Sequence, residues 1–134
     1  MTTRSLHTRI SVSGILIPQA YTTTAIDGAD VDISAAESAE FVFVVGTQSG
    51  TTSQLVCQEA DDDGAGSPDT YTDVAAANLV GGANDVEVAA TTDDRIITRG
   101  YKGTKKWVRV RGEDKSSGNL ILGGCVLVGH QRHL

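Results

Sequence analysis

Aromatic residues, prolines and cysteines are scarce in this chain of 134 residues. Aromatic residues account for 4% of the chain, against fifteen glycines and two prolines, and this balance favours short strands and tight turns over packed helices. The two cysteines, Cys57 and Cys125, lie far apart and have no C-x-x-C spacing. Each lies in an apolar, strand-like run, so we expect both to be reduced core residues of a cytosolic protein.

A long apolar segment is also missing. The apolar run at 15–17 ends at Pro18, which makes it too short for a signal peptide core or a membrane anchor. We therefore expect a protein that is made in a cytosol and has no membrane partner. Hydrophobic residues make up 40% and charged residues 21% of the chain. This is ordinary globular composition, so 1–134 is expected to form a single domain that needs neither disulfides nor metals.

The charges are unevenly distributed along the sequence. Residues 1–94 hold 15 acidic and 2 basic residues, a net charge of −13, whereas residues 95–134 hold 9 basic and 2 acidic residues, a net charge of +7. Two interpretations stay open: the folded protein has two electrically different faces, or strands from both halves interleave and their charges compensate. The overall charge of −6 makes nucleic acid the least favoured partner.

Short stretches with a period of two residues, separated by polar turns, predict an antiparallel β-sandwich of the jelly-roll or immunoglobulin-like type. Gly14 marks a predicted bulge, and the run 41–45, apolar at every position, predicts a central strand covered on both sides. Residues 74–80 predict at most one helical turn, closed by Gly81 and Gly82. The predicted strands are 10–17, 31–33, 40–46, 53–59, 86–88, 95–101, 105–111 and 119–128.

The residues needed for catalysis are not arranged for it in the sequence. The three histidines, His7, His130 and His133, all lie near the chain ends. No serine, cysteine or aspartate lies in a Gly-x-Ser-x-Gly elbow that could supply a nucleophile. We therefore predict that the protein is not an enzyme.

An acidic stretch offers the best candidate for a metal site. Glu59, Asp61, Asp63 and Gly64 match the first half of a calcium-binding loop. The twelfth position is Thr70, which cannot supply the bidentate carboxylate. The sequence therefore favours a solvated acidic turn and predicts no metal and no other cofactor.

Basic residues cluster just before and within one predicted strand. Gly100, Gly103 and the lysines at 105 and 106 are close together, but they join two predicted strands, which indicates a hairpin turn and not a phosphate loop. In the strand that follows, the period of two places Val108 and Val110 towards the core. The opposite, outward face then carries Lys105, Trp107, Arg109 and Arg111. This face could contact a protein partner or stack on a sugar, or the arginine stems could simply cover the indole.

The two chain ends are further candidates for contacts between subunits. The N-terminal arm, about 1–9, and the C-terminal tail, about 129–134, have no pattern that requires packing within one chain. Their candidate contact residues are Arg4, Arg9, His130 and Arg132. The strand 120–128 is apolar on both faces, so one face could meet a second subunit. One face carries Leu120, Leu122, Val126 and Val128, and the other carries Ile121, Cys125 and Leu127.

Two segments carry a family resemblance. Residues 100–110 read Gly-Tyr-Lys-Gly-Thr-Lys-Lys-Trp-Val-Arg-Val, and residues 126–133 read Val-Leu-Val-Gly-His-Gln-Arg-His. This pattern resembles the head decoration, or capsid cement, proteins of tailed bacteriophages, in which a Tyr-x-Gly-Thr-Lys-aromatic-x-Arg-Val strand precedes a final Gly-His-x-Arg-His. The segment 41–45, residues 58–62 and the Ala-rich stretch after them also fit loosely.

The resemblance implies a β-sandwich that binds the outside of an assembled shell and bridges neighbouring major capsid protein subunits. It also implies a homotrimer, located on the capsid exterior of a virion assembled in the host cytoplasm. The alternative is a tail or baseplate-associated sandwich that binds a host glycan through Trp107, Arg109 and Arg111. An exposed Trp107 in a shallow groove would favour the glycan, whereas contact surfaces on several sides would favour a cement role.

Overall fold

A computed structural model describes residues 6–7, 9–21, 25–50, 52–114 and 118–130 of the chain. These residues form two packed antiparallel sheets, of five and six strands, in a single-domain β-sandwich. The predicted antiparallel sandwich is therefore confirmed. The strands are β1 (Ile10–Tyr21), β2 (Ala25–Asp27), β3 (Val31–Asp32), β4 (Ser38–Gly50), β5 (Ser53–Ala60), β6 (Thr72–Asp73), β7 (Leu79–Val80), β8 (Val86–Val88), β9 (Arg95–Tyr101), β10 (Trp107–Asp114) and β11 (Gly118–Gly129).

The two sheets have different strand orders. The five-stranded sheet runs β1-β11-β4-β9-β7. The six-stranded sheet has the order β2-β10-β5-β6, with β3 also pairing with β10 and β8 with β5. Each sheet therefore combines strands from both halves of the sequence. A short 3-10 turn at Ala76–Asn78 precedes β7, and no helix in the described residues is long and apolar enough to cross a bilayer.

The core lies between the two sheets and consists of alternate residues of the long strands. On β4, Phe41, Phe43 and Val45 are buried, and on β10, Val108 and Val110 are completely buried. Leu120, Leu122, Val126 and Val128 of β11 are buried with them. The inward and outward sets predicted for β10 are therefore confirmed, and of the two apolar faces predicted for β11 the one that begins with Leu120 is the buried face. Burying each large apolar side chain stabilises the fold by about 1.5–3 kcal/mol.

The predicted bulge at Gly14 is present. The pairing of β1 with β11 shifts register between Ser13 and Leu16, and Gly14 has a φ of 60°. A Cβ atom at this position would lie 2.3 Å from Cγ2 of Val31. Glycine is required here because the backbone is left-handed and β3 approaches closely. The predicted helical turn is present as the 3-10 turn Ala76–Asn78, but Gly81 and Gly82 do not close it, because Leu79 is its C-cap and β7 lies between the turn and the glycines.

Two sequence predictions about the arrangement of the strands were wrong. The run 41–45 is central in its sheet, as predicted, but it is covered on one side only, because Val44 is 46% exposed. The segment 102–106 is not a hairpin turn, because β9 belongs to the five-stranded sheet and β10 to the six-stranded sheet. The segment crosses from one sheet to the other.

Tyr101 fixes this crossing. Its hydroxyl group donates to Oε2 of buried Glu59 at 2.5 Å and accepts from the Lys105 amide at 3.1 Å. Burial, followed by the hydrogen bond to Glu59, raises the pKa of Tyr101. The pair therefore satisfies two polar groups at the end of the core and anchors the loop that leads into β10.

Candidate interaction surfaces

Strand β10 positions the residues that the sequence singled out for partner contact. Because Val108 and Val110 face the core, Trp107, Arg109 and Arg111 lie on the outer face of the six-stranded sheet. All three are half-buried, and the side chains of neighbouring strands surround them. We call this surface, with Asp27, Gln58 and Tyr71, the polar face.

Asp27 forms ion pairs with both arginines. Asp27 pairs in register with Arg111 where β2 lies beside β10. The carboxylate binds Nη1 of Arg111 at 2.8 Å and Nη1 of Arg109 at 3.3 Å. Nε of Arg111 also donates to Oε1 of Glu113 at 3.0 Å. Two guanidinium groups that looked available for a partner are therefore engaged within the chain.

Arg109 is held by two further contacts. Its Nε donates to Oε1 of Gln58 at 2.9 Å, and its guanidinium carbon lies 4.0 Å from the centre of the Tyr71 ring. Tyr71 in turn donates to Oδ1 of Asp30 at 2.9 Å, and burial raises the pKa of its hydroxyl group. The cation–π contact and these hydrogen bonds form one network across the polar face.

Trp107 is held by the acidic turn at 61–69. Its indole Nε1 donates to Oδ1 of Asp62 at 3.0 Å, and Nζ of Lys106 binds the same oxygen at 2.9 Å. The hydrogen bonds from Trp107 and Lys106 lower the pKa of Asp62, while the bond to Asp62 raises the pKa of Lys106. Beside them, Lys105 pairs with Asp61. The carboxylates of the acidic turn therefore pair with the polar groups of residues 105–107 at the start of β10.

The ion pairs settle how the uneven charge is arranged. Apart from the local pair of Arg111 with Glu113, every ion pair in the described residues joins a base after residue 95 to an acid before residue 94. The two halves of the sequence interleave, so their charges compensate at β10. This supports the second of the two interpretations of the charge pattern.

The outer face of the other sheet is apolar and exposed. Every strand of the five-stranded sheet carries at least one large hydrophobic residue that is 43% or more exposed. The most exposed of them are Ile17 at 70% and Ile96 at 68%. We call this surface the apolar face. It comprises Val12, Ile15, Ile17, Val44, Val80, Ile96 and Ile121. Sequence reasoning found the β11 part of this face but missed the rest. The unbroken apolar run 41–45 was the available signal, because it makes both faces of β4 apolar.

The two cysteines belong to different sheets, Cys57 to β5 of the six-stranded sheet and Cys125 to β11 of the five-stranded sheet. Cys57 is 1% exposed and lies in the core, as predicted. Cys125 is half-buried and pairs in register with Val42 on the outward side of the sheet. The prediction that Cys125 is a core residue was therefore wrong. Both thiols are free.

The chain ends meet where the structure describes them. The amide of His130 donates to the carbonyl of Arg9 at 2.8 Å, and Oγ of Ser11 lies 2.9 Å from Nε2 of His130. In the described residues, no hydrogen bond or ion pair joins His130 to a carboxylate. Arg4 and Arg132 lie outside the described residues.

The acidic residues proposed as a calcium loop turn to different partners. Glu59 accepts from Tyr101, Asp61 pairs with Lys105, and Oδ1 of Asp63 accepts from the amides at 65 and 67. Within the part of the chain that the structure describes, no group of three or more His, Cys, Asp or Glu side chains is placed to hold a metal ion.

A cleft of about 610 Å³ lies at the end of the sandwich, between residues 33–39 and 101–106. Three lysines line it, but Lys105 and Lys106 are paired with Asp61 and Asp62. Trp107 does not line this cleft. The aromatic residue that lines it is Tyr101, whose hydroxyl group is bonded to Glu59 and to the Lys105 amide.

No protein-family model matches the chain, and no curated protein and no solved structure matches it significantly. The surfaces described above and the resemblance of the two sequence segments are therefore the basis for a functional assignment.

Proposed function

We propose that this chain is a head decoration protein of a tailed bacteriophage. In this role it is a non-enzymatic structural protein that binds the outside of the capsid as a homotrimer and bridges neighbouring subunits of the major capsid protein. The motif resemblance in residues 100–110 and 126–133 supports this proposal.

One structural observation carries the proposal: the apolar face. A soluble protein that works alone rarely leaves a broad apolar surface exposed, and larger patches mark sites of protein contact. Here the exposed apolar residues cover one sheet, while the polar face of the other sheet is internally neutralised. Such a molecule is suited to work inside a protein assembly.

A decoration protein needs this surface chemistry and no active site. A protein that binds only the assembled lattice stabilises that lattice by mass action. Many weakly bound copies that act together on one shell produce a large total effect. Contact through sheet surfaces is sufficient for this function.

The polar face weighs against the glycan-binding alternative. A sugar platform requires an open aromatic ring and unsatisfied polar groups beside it. The indole nitrogen of Trp107 is bonded to Asp62, and Arg109 and Arg111 share Asp27. A sugar would have to displace these contacts.

Binding to shells tests the proposal. Purified protein is mixed with expanded shells that lack decoration, and the shells are sedimented and washed. We expect the protein to be retained at a fixed copy number that saturates and is a multiple of three. Unassembled capsid subunits serve as the control and are expected to retain much less. Absence of retention on the shells would overturn the proposal.

A further inference from the structure

We infer that copies of this chain associate with one another through the apolar face. The inference rests on the proposed function in so far as that function requires several copies to act together, and it identifies the surface by which they meet. In the described residues, Leu6 is the only mostly exposed large hydrophobic residue outside the five-stranded sheet. The exposed apolar residues are therefore concentrated on one side of the molecule.

Strand register makes these residues one continuous surface. Val44 of β4 lies opposite Ile96 of β9. A second row crosses the whole sheet, from Val12 through Leu127, Glu40 and Gly100 to Val80. Paired residues on one face of a sheet lie about 5 Å apart, so the apolar side chains of the two rows lie close together, with Glu40 among them.

Glycines keep the surface flat enough for another protein to pack on it. A Cβ atom at Gly46 would lie 3.0 Å from the Ile121 side chain, and one at Gly123 would lie 2.6 Å from Cγ of Pro18. The side chains of Ile121 and Pro18 therefore lie across glycines of the neighbouring strands, close to the backbone of the sheet. Sheets that pack face to face approach to about 10 Å, which a flat surface permits.

Charge favours a second copy as the occupant. In the paired rows of the apolar face, Glu40 is the only charged residue. Each copy carries a net charge of −6, so two copies repel one another wherever their charged surfaces meet. The apolar face is where they can approach with the least repulsion, and each copy supplies the apolar surface that the other requires.

The area fits a contact of modest size. The four long strands of the sheet, spaced about 4.8 Å apart, give a width of roughly 19 Å, and Ile121 to Leu127 on β11 span about 20 Å. The flat area is thus roughly 400 Å² per copy, or ~800 Å² for a pair, which is at the low end for protein contacts and becomes effective where several copies act together.

The face also has the two parts that a closed ring of copies needs. One part is the sheet surface around Val44 and Ile96. The other is the edge strand β1, where Ile15 and Ile17 are exposed at the end of the strand order. In a homotrimer, the sheet part of one copy would pack on the β1 edge of the next.

Sedimentation equilibrium of the purified full chain tests this inference. We expect the wild-type protein to form an oligomer whose mass is a whole multiple of 14.0 kDa. We expect Ile96→Glu to weaken association at least tenfold, because it places a carboxylate in the apolar contact. High salt should leave the wild-type oligomer intact, since screening weakens ion pairs and not apolar burial.

Thr91→Glu is the matched control, because it also replaces an exposed β-branched residue by a carboxylate, but outside both sheets, in the turn between β8 and β9. It should associate like the wild type. Ile96→Thr, which retains a β-branched side chain, provides a milder variant if Ile96→Glu does not fold, and circular dichroism checks the fold of each. A monomeric wild type, or an Ile96 variant that is folded and associates as strongly as the wild type, would overturn the inference.

Shell binding distinguishes this inference from the proposed function. A wild-type monomer that is retained on shells would overturn self-association and leave the capsid-binding part of the proposed function standing. An oligomer that depends on Ile96 but is not retained on shells would support the inference and overturn the proposed function.

Discussion

The indole nitrogen of Trp107 donates a hydrogen bond to Oδ1 of Asp62 at 3.0 Å. This bond joins the strand that looks most like a binding surface in the sequence to the turn that looks most like a metal loop. Lys106 binds the same carboxylate oxygen. The predicted contact strand and the predicted metal loop therefore bind one another. In the described residues, the surface left without a partner is the apolar face.

Acid should release this contact. Because the fold lowers the pKa of Asp62 below its ordinary 3.8, the contact stabilises the protein above pH 3.8 and the contribution is lost as the pH falls through the lower folded value. Asp62→Asn removes this dependence. Urea unfolding as a function of pH should therefore show a shallower loss of stability below pH 3.8 in the variant. Parallel curves for the two proteins would contradict the prediction.

Asp27 should be needed for stability because it serves two cations. Asp27→Asn leaves Arg109 and Arg111, whose side chains are 18% and 23% exposed, without their shared carboxylate. We expect the free energy of unfolding to fall by about 1 kcal/mol, at the upper end for partly exposed ion pairs. Urea unfolding measures it. Glu87→Gln, an exposed change on β8, is the control, and an equal effect of both changes would contradict this role of Asp27.

The two thiols should differ in reactivity in the folded protein. Burial raises the pKa of Cys57 to about 12, so its thiolate is scarce and shielded. Cys125 is half-buried, and burial raises its pKa as well. A thiol reagent should modify Cys125 first and Cys57 only on unfolding, and Ile96→Glu should speed the reaction of Cys125 if copies cover it. Mass spectrometry of digested protein identifies the modified residue, and faster modification of Cys57 would contradict the prediction.

Removal of divalent cations should have little effect on stability. Glu59, Asp61 and Asp63 have separate partners within the chain, and Thr70 occupies the position where a calcium loop needs its bidentate carboxylate. We expect the melting temperature to be the same with calcium and with an excess of chelator. A fall of several degrees on chelation, reversed by calcium and abolished by Asp63→Asn, would contradict this expectation.

Local patterns were sufficient to predict much of this fold. The alternation around Val108 and Val110 predicted which face of β10 is buried, and Gly14 predicted a bulge, because both signals depend on neighbouring residues. The partners of Arg109 and Arg111 could not be predicted, since Asp27 is more than eighty residues away and meets them only through strand pairing. The crossing at 102–106 was missed for the same reason, as loop length does not show which sheet the next strand joins.

The candidate surface was predicted only in part. The pattern of β11 separates a face with Leu120 from a face with Ile121 but does not show which of them is buried. The run 41–45 predicts a strand covered on both sides because an apolar outer face normally has a layer over it within the same chain. Here Val44 is exposed. Sequence periodicity distinguishes the two faces of a strand, but it does not show whether the cover for an apolar face comes from the same chain.

The survival of shells tests the central claim most directly. Shells that lack the protein, shells with the purified protein added back, and shells incubated with Thr91→Glu are heated or osmotically shocked, and intact particles are counted by electron microscopy. We predict that the wild type and Thr91→Glu protect the shells to the same extent, at conditions that burst undecorated shells. Equal survival with and without the protein, with no copies on the shells after sedimentation, would contradict it.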